Sequence, residues 1–134
     1  MPPEPGVRVL CVDDHPDVAY SLVTLFNLSG FEARECLDGP TALAVAREFR
    51  PHACVLDVNM PVMDGCEVAR RLRDEFGRDV LLIALSAMSG EEHEERVAAA
   101  GFDLSFTKPP NLTRLLDAVA SAAGRCGDQR RSAS

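Results

Sequence analysis

One pattern narrows the folds open to this chain more than any other. A short apolar run is followed by an amphipathic stretch, and the pair recurs five times between residues 7 and 123. The runs are VRVLCV (7–12), FEARECL (31–37), ACVLD (53–57), VLLIALS (80–86) and FDLSFTK (102–108). Their length and apolar or β-branched content are those of strands. VLLIALS is apolar almost throughout, as a central parallel strand covered on both faces must be, whereas FEARECL alternates weakly and suits an edge. Strands that alternate with helices can pair in parallel only if each helix crosses back over the sheet, and such crossovers are right-handed. Five units therefore predict a doubly wound α/β domain.

The intervening stretches carry helix signals. Pro16 suits a first helical turn, and Leu22, Leu25, Phe26 and Leu28 are expected to form the apolar face of a helix from Pro16 to Ser29, with Gly30 as its stop. Asp38-Gly39-Pro40 opens a second helix to about Arg50, with Leu43, Ala46 and Phe49 pointing inward. The third runs from Asp64 to Phe76. Ser89 followed by Glu92 fits a capping box for the fourth, which Gly101 ends. Asn111 is expected to cap the fifth, whose apolar face carries Leu112, Leu115, Leu116 and Val119. Residues 1–6 read as an N-terminal arm, 7–123 as one domain and 124–134, which lose all periodicity, as a flexible tail.

Composition excludes several classes. The net charge of −7, with no run of cations longer than two, argues against direct nucleic-acid binding, because phosphate contacts need clustered Lys and Arg. No apolar run approaches the ~18 residues of a membrane span, and MPPEPG has neither the positive nor the apolar region of a signal peptide. The five cysteines (11, 36, 54, 66 and 126) form no C-x-x-C pair and are odd in number. Reduced thiols in a cytoplasmic protein are expected, with Cys11, Cys36 and Cys54 serving as small buried hydrophobes.

Parallel strands end at one edge of their sheet, and ligands bind there. Asp13 and Asp14 end the first strand, Asp57 the third, Ser86 the fourth and Lys108 the fifth. Three carboxylates brought together repel one another and call for a cation. An all-oxygen cluster suits magnesium, which keeps several waters and often bridges carboxylate to phosphate. Lys108 adds a fixed ammonium. Two positive centres with a hydroxyl between them describe a pocket for a phosphoryl group, and a carboxylate so placed can be the nucleophile. Asp57 is the candidate, because its strand should lie beside the first.

VDDHPD after the first strand, VLDVNMPVMDG after the third, ALSA after the fourth and TKPP after the fifth resemble the response-regulator receiver domain of two-component signalling. The resemblance covers residues 7 to 123, and the four motifs in order form a specific set. It implies a flavodoxin-like (βα)5 fold with strand order 2-1-3-4-5 and helices on both faces. It also implies that Asp57 accepts a phosphoryl group from the phosphohistidine of a histidine kinase or phosphotransferase. Asp14 would bind Mg2+ directly, Asp13 mostly through water and Asn59 through its backbone carbonyl, with Asp57 completing the metal site. Ser86 and Lys108 would hold phosphoryl oxygens, and the small Ala87 would leave room for the group. The Lys108–Pro109 bond is often cis in this family. Met60, Pro61 and Gly65 would shape the loop beneath the acceptor. The receiver would catalyse only its own phosphorylation and dephosphorylation, without turnover, and could engage a downstream protein through its fourth helix, fifth strand and fifth helix.

The chain departs from the family at Ser105, where receivers often carry an aromatic that relays phosphorylation. Phe106 should face the opposite side of its strand, with Leu104. A single-domain regulator or phosphorelay intermediate is therefore expected, with a receiver cut from a hybrid kinase or a phosphate sink as alternatives. Asn59 and Met88 flank the approach of attacking water and are candidates for setting the phosphoryl lifetime. HEER (93–96) resembles a kinase histidine box but lacks a following Thr-Pro, and a solvated helix face is expected. His15 and His52 read as loop and surface residues, without partners at metal-ligand spacing. A haloacid-dehalogenase-type phosphatase would need its nucleophile on the first strand with a second acid two residues on; here His15 stands there. A flavin-binding module would need a phosphate loop that the first strand lacks.

Overall fold

The computed structural model describes residues 7–60 and 63–122. The elements are β1 (Arg8–Val12), α1 (Pro16–Leu28), β2 (Glu32–Cys36), α2 (Gly39–Phe49), β3 (Ala53–Asp57), α3 (Gly65–Phe76), a 3-10 turn (Gly77–Asp79), β4 (Leu81–Ser86), α4 (Glu91–Ala99), β5 (Leu104–Thr107) and α5 (Leu112–Ser121). The strands form one parallel sheet in the order β2-β1-β3-β4-β5, with FEARECL at an edge as its weak alternation predicts. This is the doubly wound order expected of the chain.

The period-two alternation of side chains sorts the core into two layers. Leu10, Val12, Cys54, Leu56, Leu82 and Ala84 face α2, α3 and α4, meeting Leu43, Ala46, Val68, Leu72 and Val97. Val9, Cys11, Val55, Ile83 and Leu85 face α1 and α5, meeting Leu22, Phe26, Leu115 and Val119. Every residue of β3 and β4 is buried, because both sheet faces are covered there. Cys11, Cys36, Cys54 and Cys66 are buried free thiols within these layers. The arm, Pro61, Cys126 and the tail lie outside the described residues.

Helix starts follow the sequence signals in three cases. Asp38 accepts from the Thr41 N–H at 2.8 Å, Asp64 from Glu67 at 3.0 Å and Asn111 from Arg114 at 3.0 Å. The capping box expected at Ser89 does not form. Gly90 occupies the cap position with φ 118°, a conformation that suits glycine, and α4 starts one residue later without a side-chain cap. Glu91, Glu92 and Glu94 instead place negative charge on the first turn, where the helix dipole favours it.

The apolar faces are narrower than the periodicity suggested. Leu28 is 83% exposed, because the buried stripe of α1 runs through Ala19, Leu22 and Phe26 and position 28 lies 200° around the helix from Phe26. Leu112 is likewise exposed at the start of α5. His52 is buried rather than at the surface, and its Nδ1 accepts the Arg8 N–H at 3.0 Å. His93 is also buried, not on a solvated face.

Arg73 shows what spacing cannot reveal. Its guanidinium donates to the carbonyls of Gly101 at 2.9 Å, Gly77 at 2.6 Å and Val80 at 2.7 Å, and pairs with Asp103 at 2.5 Å. Asp103 in turn accepts the Leu82 N–H at 2.9 Å. One side chain thereby ties the end of α3 to β4 and to the loop before β5.

Candidate functional site at the carboxyl edge of the sheet

Register decides which side chains meet. Val12 pairs with Leu56, so Asp13 and Asp57 stand level one step beyond. Asp57 pairs with Leu85, Leu85 with Phe106, and Ser86 with Thr107, so Ser86 and Lys108 lie one and two steps further out. The Lys108 N–H donates to the Ser86 carbonyl at 2.8 Å and the Val58 N–H to that of Leu85 at 3.0 Å, extending the ladder past the strand ends.

The Lys108 side chain folds back over this edge. Its Nζ lies 3.3 Å from Asp13 Oδ2 and 3.3 Å from Asp57 Oδ1, across three strands. Asp13 and Asp57 are 1% and 3% exposed. Two buried carboxylates sharing one ammonium are under-neutralised. Accordingly, burial pushes the Asp57 carboxyl above its ordinary range and the Asp13 charge adds to this, while the Asn59 N–H (3.1 Å) and Lys108 oppose it.

Asp13, Asp14, His15 and Asp57 each offer a ligand atom within 4.8 Å of the others. Asp14 Oδ1 is buried and accepts no hydrogen bond, although His15 Nδ1 stands 3.3 Å away. An unbonded buried carboxylate oxygen beside two further carboxylates fits a hard divalent cation with oxygen ligands, such as Mg2+. His15 was not expected here. Its Nδ1 lies 3.1 Å from Asp13 Oδ1, and this hydrogen bond, with the Asp14 and Asp13 charges, raises its pKa. The signal was its place directly after two acids at a strand end.

Close packing holds the acceptor from below. The Gly65 N–H donates to the Val58 carbonyl at 3.0 Å, and a Cβ at Gly65 would lie 2.5 Å from the Asp57 carbonyl oxygen. Only glycine lets α3 approach the acceptor strand so nearly. Met60 is buried in the same core layer as Val58 and Cys66. The Ser86 hydroxyl accepts the Met88 N–H at 3.0 Å, which anchors the loop before α4. The Lys108–Pro109 bond is cis. Ser105 is exposed, whereas Phe106 packs on the α1 and α5 side.

The family model described as "Response regulator receiver domain" matches residues 9–120. The transcriptional regulatory protein PrrA of Mycobacterium tuberculosis is 42% identical over 127 residues, covering 95% of this chain and 54% of PrrA. The response regulator MprA of Mycobacterium bovis is 41% identical over 113 residues, covering 83% of this chain and 48% of MprA. The chain thus spans about half the length of the curated relatives it matches. Among solved structures, the receiver domain of a Francisella response regulator superposes with TM-score 0.81 at 28% identity, covering 88% of this chain and 97% of that one. The Vibrio cholerae chemotaxis protein CheY4 gives TM-score 0.80 at 28% identity, covering 87% and 98%. With the doubly wound order, the acidic edge and the spanning lysine, these likenesses place the chain in the response-regulator receiver family of two-component signalling.

Proposed function

We propose that Asp57 takes a phosphoryl group from the phosphohistidine of a histidine kinase or phosphotransferase. An Asp57 carboxylate oxygen attacks phosphorus, the P–N bond breaks, and the imidazole leaves with the bonding pair and takes up a proton. Lys108 neutralises charge on the phosphoryl oxygens, and Ser86 hydrogen-bonds another of them once its hydroxyl turns from Met88. A bound Mg2+, held by Asp13, Asp14, Asp57 and the Asn59 carbonyl, would supply the remaining positive charge. The receiver acts as a stoichiometric acceptor and not as a turnover enzyme. The observation that carries this reading is the Lys108 ammonium 3.3 Å from both Asp13 and Asp57.

Incubation with Mg2+ and acetyl phosphate tests it by mass spectrometry. One added phosphoryl mass in wild type, absent in Asp57→Asn and without Mg2+, is expected. An unmodified wild type, or a phosphate mapped elsewhere, refutes it. Asn59 and Met88, both exposed at the rim, are proposed to set the phosphoryl lifetime, and exchanging them should alter the dephosphorylation rate.

Among the described residues no helix is long and apolar enough to cross a membrane, and a cytoplasmic setting is proposed. PrrA is named a transcriptional regulatory protein and is nearly twice the matched length, so control of transcription by a longer protein is one setting for this receiver. The chain's net charge of −7 supports protein partners over direct DNA contact, with α4, β5 and α5 as the proposed output face. Ser105 favours a second setting, a phosphorelay intermediate or sink, since no aromatic side chain stands there to relay the signal.

A further inference from the structure

On the sheet face shared by Ser86, Ser105 and Thr107, a recess of about 100 Å³ separates β5 from α4. Ser105 leaves it open, since a serine fills little of the gap between strand and helix. His93 of α4 lines the recess from the other side. His93 is 8% exposed, and both Nδ1 and Nε2 of its ring are buried without a hydrogen-bond partner. Unpaired buried polar groups are rare, and each weakens the state that contains it. A leucine would fill the same space without that cost. The same recess is bounded by Ser86, whose hydroxyl at present accepts the Met88 N–H at 3.0 Å and so fixes the loop leading into α4.

We propose that His93 is a positioning residue that acts through Ser86: its imidazole lacks a partner in this form and gains one when the Ser86 hydroxyl turns to the phosphoryl group and the loop it anchored moves. The inference rests on phosphorylation at Asp57 and adds the route by which α4 senses it. Turning Ser86 away frees the Met88 N–H, and the loop from Ala87 to Gly90 is then released to reseat over the recess. Ser105, Thr107 and the loop backbone there offer donors and acceptors to the ring. Relief of the unpaired imidazole favours the phosphorylated arrangement, because a polar group paired in one state and unpaired in the other biases the equilibrium towards the first. The side chain thereby links the acceptor to α4 without an aromatic on β5.

Beryllofluoride with Mg2+ serves as the phosphoryl probe, on the full chain, for wild type and His93→Leu. The variant should melt about 4 °C higher without the probe and bind beryllofluoride about tenfold more weakly, since the cost of the unpaired ring is removed from one state only. A merely structural histidine would move stability without weakening the probe. In wild type, imidazole nitrogen NMR should show the His93 resonances shifting on beryllofluoride binding, a measurement that needs no variant. Unchanged probe affinity in a folded His93→Leu, or unmoved His93 nitrogens in probe-bound wild type, would overturn the role of His93 while leaving Asp57 chemistry standing. Failure of wild type to bind beryllofluoride would overturn both.

Discussion

Gly65→Ala tests whether the approach of α3 to the acceptor strand matters as the geometry requires. The new methyl carbon would lie 2.5 Å from the Asp57 carbonyl oxygen, 2.8 Å from Val58 Cα and 3.1 Å from the Asp57 carbonyl carbon. Ordinary contact begins near 3.4 Å, so strand and helix must part by about 0.9 Å. All three opposing atoms are backbone, which no rotamer change can relieve. Overpacking of this kind costs about 1–3 kcal/mol, and stretching the Gly65–Val58 hydrogen bond adds about 1 kcal/mol. Better helix propensity returns less than about 1 kcal/mol at a first helical residue. A net loss of about 2 kcal/mol corresponds to a melting point lower by about 8 °C for a domain of this size. The shift moves the Asp57 backbone relative to Lys108, and misplacement by about 1 Å costs about a hundredfold in rate. Thermal melting and acetyl-phosphate kinetics read the two effects. Gly39→Ala is the control, because the atoms nearest its Cβ belong to the Met63 and Val68 side chains rather than to backbone. A Gly65→Ala protein that melts and reacts like wild type would show that the contact is not a constraint.

Asp57→Asn should raise the melting point of the magnesium-free protein near neutral pH. The sign follows from the raised Asp57 pKa: above it the buried charge is ionised in both states and its penalty is fully present, and the penalty fades as pH falls through the folded value towards the unfolded one. The stability gap between variant and wild type should therefore narrow on acidification, and a gap that widens contradicts the assignment. Arg73→Ala removes a half-buried charge from Asp103 and three carbonyls, so a loss of about 3 kcal/mol is expected in denaturant titration, with phosphorylation of the folded fraction intact. Native protein should resist thiol alkylation at Cys11, Cys36, Cys54 and Cys66 at mildly alkaline pH, because burial raises all four thiols, Cys36 to about 11. Peptide mapping that finds any of the four labelled in the folded state would count against this packing.

The period of the apolar residues by itself determined the fold class. A strand's alternation and a helix's 3.6-residue repeat are local properties, and five strand–helix units specify a doubly wound parallel sheet, while the order 2-1-3-4-5 came from the family resemblance. The acidic residues at strand ends were legible for the same reason, since parallel strands deliver their termini to one edge. Contacts between positions far apart in the chain were settled only by folding. Nothing local shows that Lys108 reaches Asp13, 95 residues away, or that Arg73 closes on Gly101 and Asp103. The face of a helix that is buried depends on its neighbours, which is why Leu28 lies in solvent while His52 and His93 lie inside. His15 is the local exception: its partners Asp13 and Asp14 directly precede it, and the turn after β1 brings its ring onto them. Local pattern chose the fold, and long-range packing chose the partners of each charge, because a charge's free energy depends on everything within a few ångströms and not on its neighbours in sequence.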